Sequence, residues 1–173
     1  MACKQGIRKN IEQSKVFREE QRKPNASRDY FKDLVRRVYE TKEGVSGLTE
    51  SERIYFAVTV FDGEVYNGGV GQFFSNSSGD LYPTVILGLR ELGATKSLAL
   101  FSLAKKVLFS DSEPPTDRRA RLEALPRYPE DENAPRPGWD IEMGRISKEL
   151  WSDPDKLRDR LRDYAARNNL FPI

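Results

Sequence analysis

The chain has 173 residues, of which 38% are hydrophobic and 32% charged, and its formal net charge is +2. That length suffices for one domain with a real core, and the near-neutral charge gives no global attraction to nucleic acid. Histidine is absent and Cys3 is the single cysteine, which excludes histidine-based catalysis, an internal disulfide and a cysteine zinc site. We therefore predict no catalytic residue, no metal and no cofactor.

The N-terminal part of the chain is its least apolar part. Residues 1–26 are polar and weakly patterned, which predicts a disordered segment or a marginal helix. Ser27 offers an N-cap for a helix over about 28–43. We expect residues 27–173 to form a single helical domain, and because no apolar run could span a bilayer and no signal peptide is evident, we expect a cytoplasmic protein without a membrane partner.

The next helix has a clear start signal. Thr49 is followed by Glu52 three residues later, which is the pattern of a capping box. The β-branched run over 58–60 favours a strand, but the capping signal and the apolar spacing favour a helix. Asn67-Gly-Gly69 should interrupt this helix, with a short helical turn through 72–75 after it.

The sequence of the second half of the chain predicts five more helical pieces. Residues 81–92 and 94–109 have apolar stripes at helical spacing, with Gly93 as a stop between them. Residues 110–138 are proline-rich, with one short helical piece over 118–125. The last two helices should cover 139–151 and 154–168, the second starting at Asp153-Pro154. The fold class is all-α, with about six to eight helices and a proline-rich connection.

The segment Glu64–Asp80 concentrates amides, aromatics and glycines in seventeen positions with no cationic residue. Amides both donate and accept hydrogen bonds, so this segment is a candidate surface for a ligand or partner. The alternative is that the amides cap the broken helix, in which case Asn67→Ala should cost about 1–3 kcal/mol. The ligand- or partner-binding candidates are Glu64, Tyr66, Asn67, Gln72, Asn76 and Asp80, and the structural glycines are Gly68, Gly69 and Gly79.

Other residues in and around this segment have weaker functional interpretations. The carboxylates of Asp62, Glu64 and Asp80 could bind a divalent cation or act as an acid–base pair. The aromatic residues Tyr66, Phe73, Phe74 and Tyr82 could stack on a ligand, but their spacing is more typical of core residues. The arginine clusters at 36–37 and 118–121 could contact nucleic acid, but solvated basic faces are the preferred interpretation. The two tryptophans should anchor the C-terminal helices.

The string from Phe61 to Asp80, FDGEVYNGGVGQFFSNSSGD, resembles the signature of the DNA-mimic-protein C-terminal-domain-like family. The following string from Leu87 to Ala94, LGLRELGA, is similar to that family's next helix. The resemblance implies a compact, mostly helical bacterial domain. The family takes its name from a member whose acidic surface imitates DNA phosphates and engages a DNA-binding protein.

A mimic needs dense negative charge, and this chain is too basic overall to present a duplex-like field. Residues 43–91 carry two basic and seven acidic residues, and they are the acidic block in which a reduced mimic surface could persist. We therefore predict a non-enzymatic protein-interaction or regulatory domain with an unknown protein partner and an open oligomeric state. Two alternatives are a small-molecule or metal-binding domain with carboxylate-dependent hydrolase activity, and nucleic-acid binding through the basic N-terminal segment, which the near-neutral net charge makes the weaker of the two.

Overall fold

The computed structural model describes residues 25–172, and this range contains eight α-helices, two 3₁₀ helices and no strand. This confirms the predicted all-α class and the predicted number of helices. Residues 1–24 lie outside the described range, so the interpretation of the N-terminal segment stays a prediction. The α-helices are α1 Ala26–Glu40, α2 Glu50–Gly68, α3 Val70–Ser75, α4 Tyr82–Glu91, α5 Thr95–Phe109, α6 Arg118–Ala124, α7 Gly138–Trp151 and α8 Leu157–Arg167, and the 3₁₀ helices are Gly44–Gly47 and Ser77–Leu81.

Helix α2 is the central element of the fold. Its capping box is formed as predicted, since the Thr49 side chain accepts from the Glu52 N–H and Glu52 accepts from the Thr49 N–H. The β-branched run is helical because Val58 is fully buried beneath α4, where Gly88 lets the two helices approach. A Cβ on Gly88 would lie 2.5 Å from Val58 Cγ2. Tertiary packing therefore decides against a strand here.

An aromatic cluster joins α2, α3 and α5 in the core. Phe61 and Phe74 lie 4.6 and 5.3 Å from Phe101, between ring centroids, and Phe73 packs edge-on against the same ring. Phe73 and Phe74 are fully buried, as predicted for core aromatics. Tyr66 departs from that prediction, because its side chain is 42% exposed.

The predicted start of the last helix is wrong. Helix α8 begins at Leu157, whose N–H donates to the Asp153 carboxylate at 2.7 Å. Between them the chain turns so that the buried Asp155 accepts from the Ser97 N–H at 2.6 Å, at the start of α5. Because Asp155 binds another helix, the last helix begins about one turn after the start that Asp153-Pro154 predicts.

The first helix is also shifted from its prediction. Asn25 provides the N-cap of α1 by accepting from the Arg28 N–H, and the helix ends at Glu40. Ser27 lies in the first turn instead, where its hydroxyl is hydrogen-bonded to the Tyr55 hydroxyl at 2.8 Å. No helix within residues 25–172 has the length and apolar character needed to cross a membrane.

Candidate functional site

The candidate site centres on the break between α2 and α3. Gly69 has φ +81°, a conformation that favours glycine, and a Cβ there would lie 2.7 Å from Ser147 Oγ of α7. The Val70 N–H donates to the same hydroxyl at 3.1 Å. Trp151 Nε1 donates to the Val65 carbonyl at 2.6 Å. Side chains of α7 therefore satisfy the backbone groups at the break, and the expectation that local amides do so is wrong.

The amides of the segment have another acceptor, the Glu64 carboxylate. Gln72 Nε2 donates to it at 2.5 Å, Asn76 Nδ2 at 3.0 Å and Ser78 Oγ at 3.0 Å. A Cβ on Gly68 would lie 1.9 Å from Gln72 Oε1, so the absence of a side chain there leaves room for this amide. Glu64 is thus a charged centre held by three neutral donors.

Arg121 of α6 is the second polar centre, and the sequence analysis missed it. Its side chain is fully buried, so the prediction of a solvated basic face over 118–121 is wrong for this residue. Gly79 is packed against the guanidinium, since a Cβ there would lie 2.3 Å from Arg121 Nε. The guanidinium donates to the carbonyls of Phe74, Asn76, Pro115 and Thr116 and to the carboxylate of Asp80.

The three carboxylates considered for a cation or an acid–base pair have separate partners. Asp80 pairs with Arg121 at 2.8 Å, and Asp62 pairs with Arg158 at 3.5 Å. Burial raises the pKa of Asp62, which the nearby Arg158 guanidinium partly opposes. Within residues 25–172 no cluster of three acidic, histidine or cysteine side chains is arranged to hold a metal ion. Asp62 and Asp80 are therefore each held by an arginine of their own.

A cleft of about 590 Å³ opens on the outer side of the helix break. Its floor is the backbone of the break and of α3, one wall is α7, and the other is the segment that connects α6 to α7. Seven of the seventeen lining residues have apolar or aromatic side chains, and four are glycines. The lining residues are Asn67, Gly68, Gly69, Gly71, Gln72, Ser75, Leu108, Leu125, Pro126, Tyr128, Arg136, Trp139, Asp140, Met143, Gly144, Ser147 and Trp151.

The mouth of the cleft carries an ordered polar group. Tyr128 packs against Trp139 with ring centroids 4.8 Å apart, and its hydroxyl donates to Asp140 Oδ1 at 2.7 Å. Arg136 Nε donates to the other carboxylate oxygen at 2.6 Å. The hydrogen bond from Tyr128, followed by that from Arg136, lowers the pKa of Asp140. The Tyr128–Asp140 hydrogen bond also raises the pKa of Tyr128. Both carboxylate oxygens of Asp140 therefore already accept a hydrogen bond from a neighbouring side chain.

The predicted site residues are divided between the two sides of the segment. Asn67 and Gln72 line the cleft, and Tyr66 is exposed with the Arg158 guanidinium 5.0 Å from its ring centroid. Glu64, Asn76 and Asp80 are engaged in the polar networks described above and do not line the cleft. The sequence did not identify the α7 residues of the cleft wall as site residues. Gly144, a glycine inside a helix, is the sequence feature that could have indicated this wall.

The fold and the site together define an all-helical domain with an interrupted central helix and an aromatic-lined cleft at the break. The profile of the DMP19-like protein family matches residues 46–169, and the chain belongs to this family. The matched range spans α2 to α8 and so includes the cleft. This confirms the family resemblance seen in the sequence. Neither the curated proteins nor the solved structures include a match to this chain.

Proposed function

We propose that this DMP19-like domain is a non-enzymatic interaction module that binds a segment of a partner protein in the cleft at the helix break. The observation that carries the proposal is the cleft itself, which seven apolar or aromatic side chains line. Both tryptophans of the chain line it, and Trp151 is 47% exposed. Tryptophan and tyrosine are enriched among residues that dominate binding energy at protein interfaces.

The ion pairs of the acidic block, residues 43–91, favour binding in the cleft over binding through a DNA-like charged surface. Glu52 pairs with Arg37 at 2.6 Å, and the hydrogen bond between them is the main reason that the pKa of Glu52 is lowered to about 2. Asp62 and Asp80 are also paired with arginines, and Glu64 is held by three neutral donors. Three of the seven carboxylates in 43–91 are therefore paired with arginines from outside this block, which weakens the negative field that it offers to a DNA-binding partner.

The cleft can be filled without disturbing the fold by substituting Gly144. A Cβ at this helical position meets no atom within 4 Å, and the same is true of Gly63 on α2, which does not line the cleft. Gly144→Leu should fill the cleft, whereas Gly63→Leu is the matched control. Both changes replace a helical glycine with a better helix former, so both proteins should fold.

The test is an affinity capture from a lysate of the source organism with the wild type and both leucine variants, each verified by circular dichroism. A photo-crosslinking residue in place of Asn67 should also form an adduct with the captured protein, and one in place of the exposed Tyr39 should not. Capture that is lost in Gly144→Leu and kept in Gly63→Leu supports the proposal. Equal capture by both variants, or crosslinking from Tyr39 alone, contradicts it.

A further inference from the structure

We propose that the partner segment is acidic and inserts a large apolar side chain into the cleft. This rests on the proposed function and adds the chemistry of the ligand to it. Three features of the cleft carry the inference: its apolar depth, the open backbone of α3 and α7, and the sign of the charge that its edge leaves available.

The depth of the cleft suits one bulky apolar group. Trp139 and Trp151 lie on one wall, and Leu108, Leu125 and Met143 are among the other lining residues. Such surface is stabilised by removal from water in proportion to the apolar area covered. A purely polar segment would leave this apolar surface in contact with water, so the occupant needs an aliphatic or aromatic side chain.

The glycines of the cleft leave room for close approach by an occupant. Gly144 lies inside α7, where glycine is less favourable than alanine by about 1 kcal/mol. Packing within the fold does not explain it, because a Cβ there would meet nothing within 4 Å. A Cβ on Gly71 of α3 would make ordinary contact with Met143 Cε at 3.8 Å. Both residues therefore leave helix backbone accessible from the cleft.

The charges at the edge favour an anionic segment. Arg118 Nε donates to the Ser75 carbonyl at 3.1 Å, at the cleft edge, and Arg127 lies between the lining residues Pro126 and Tyr128. Neither arginine is paired with a carboxylate in the described part of the chain. The carboxylate of the lining, Asp140, is already occupied by a tyrosine and an arginine.

Other acidic side chains lie further along the same connecting segment. Residues 130–132 are acidic and exposed, and none of them lines the cleft. Asp131 accepts from the Asn133 N–H at 2.9 Å, which closes a local turn. A cationic ligand group in the cleft would thus meet an occupied carboxylate, whereas an anionic group at its edge would meet two arginines without a carboxylate partner.

Intrinsic fluorescence reports on this cleft directly because the chain has two tryptophans and both line it. The probes are three synthetic tryptophan-free peptides with the same central phenylalanine, flanked by aspartate and glutamate, by serine and glycine, or by lysine and arginine. The acidic peptide should shift the emission and bind at least about tenfold more tightly than the basic one, a difference of about 1.4 kcal/mol. Its affinity should fall as salt is added, because the edge charges are exposed.

Two pairs of variants separate the apolar and charged contributions. Gly144→Leu should abolish the response and Gly63→Leu should keep it. The double variant Arg118→Gln with Arg127→Gln should weaken acidic-peptide binding about tenfold, corresponding to about 1.4 kcal/mol. The exposed pair Arg90→Gln with Lys96→Gln removes the same charge away from the cleft and should have little effect.

Equal or tighter binding of the basic or neutral peptide would overturn the inference, as would the absence of a response to the acidic peptide. An unchanged affinity in the Arg118/Arg127 double variant would also overturn it. The proposed function is judged separately by capture of the full-length partner with Gly144→Leu and Gly63→Leu. Cleft-dependent capture without acidic-peptide binding would reject the ligand chemistry and retain the interaction module.

Discussion

The segment Glu64–Asp80 has an inner side and an outer side, and the two differ in how their polar groups are satisfied. On the inner side, Glu64 and Arg121 each organise a set of hydrogen bonds within the fold. No buried side-chain nitrogen or oxygen within residues 25–172 lacks a partner. On the outer side, Asn67 is exposed and the cleft presents apolar side chains and open helix backbone to solvent.

This difference shows that the polar composition of the segment is mainly a requirement of the fold. The amides of Gln72 and Asn76 hold a half-buried carboxylate, and α7 closes the helix break. The proposed binding surface comes mainly from apolar residues that are distant in sequence from this segment. Changes on the inner side should therefore alter stability, and changes on the outer side should alter binding.

The largest effect should follow from Arg121→Ala. The substitution leaves several carbonyls without their donor in a buried site, so we expect a loss of about 3–5 kcal/mol in the free energy of unfolding. Urea denaturation measures it. Arg119→Ala is the matched control on the same helix, because its side chain is 89% exposed, and it should change stability by less than about 0.5 kcal/mol. Similar losses in the two variants would contradict the inner role of Arg121.

A smaller loss should follow from Glu64→Gln. The substitution replaces a charged acceptor with a neutral amide, and hydrogen bonds to a charged group are stronger than neutral ones, so the bonds from Gln72, Asn76 and Ser78 should weaken or rearrange. We expect a decrease of about 1–3 kcal/mol, measured by urea denaturation at neutral pH. Glu43→Gln removes the same charge from an exposed position and should have little effect. A Glu64→Gln protein as stable as the wild type would show that this network is dispensable.

Local signals in the sequence predicted most of the helices. The capping box at Thr49, the stop at Gly93 and the helix break at Gly69 depend on neighbouring residues and backbone conformation, and all three are formed. The start of α8 was predicted wrongly because Asp155 binds the start of α5, 58 residues away in the chain. A contact of that separation leaves no periodic signal.

The candidate site was less predictable for the same reason. Ser147 and Trp151 reach the helix break across 77 and 86 residues. Arg121 could not be distinguished from its exposed neighbour Arg119 by composition, because its burial depends on carbonyls supplied by two other segments, 74–76 and 115–116. The segment itself was found because its mixture of amides and glycines is unusual, but its outer wall was not.

A modest gain should follow from Gly144→Ala. The methyl group meets no neighbour, and alanine is favoured over glycine in a helix interior by about 1 kcal/mol. Gly63→Ala on α2 is the matched comparison and should give a similar gain. Thermal unfolding of the two variants measures both effects. A loss of stability specific to Gly144→Ala would mean that α7 needs this glycine for the fold itself, which would weaken the link between the glycine and an occupant.

The smallest effect on stability should follow from Asn67→Ala. The side chain is exposed and has no hydrogen-bond partner within residues 25–172, so we expect a change within about 0.5 kcal/mol instead of the 1–3 kcal/mol expected from the sequence. Because Asn67 lines the cleft, its removal should weaken capture of the partner more than it alters the melting temperature. A stability loss above about 1 kcal/mol would place Asn67 with the inner side and remove it from the proposed binding surface.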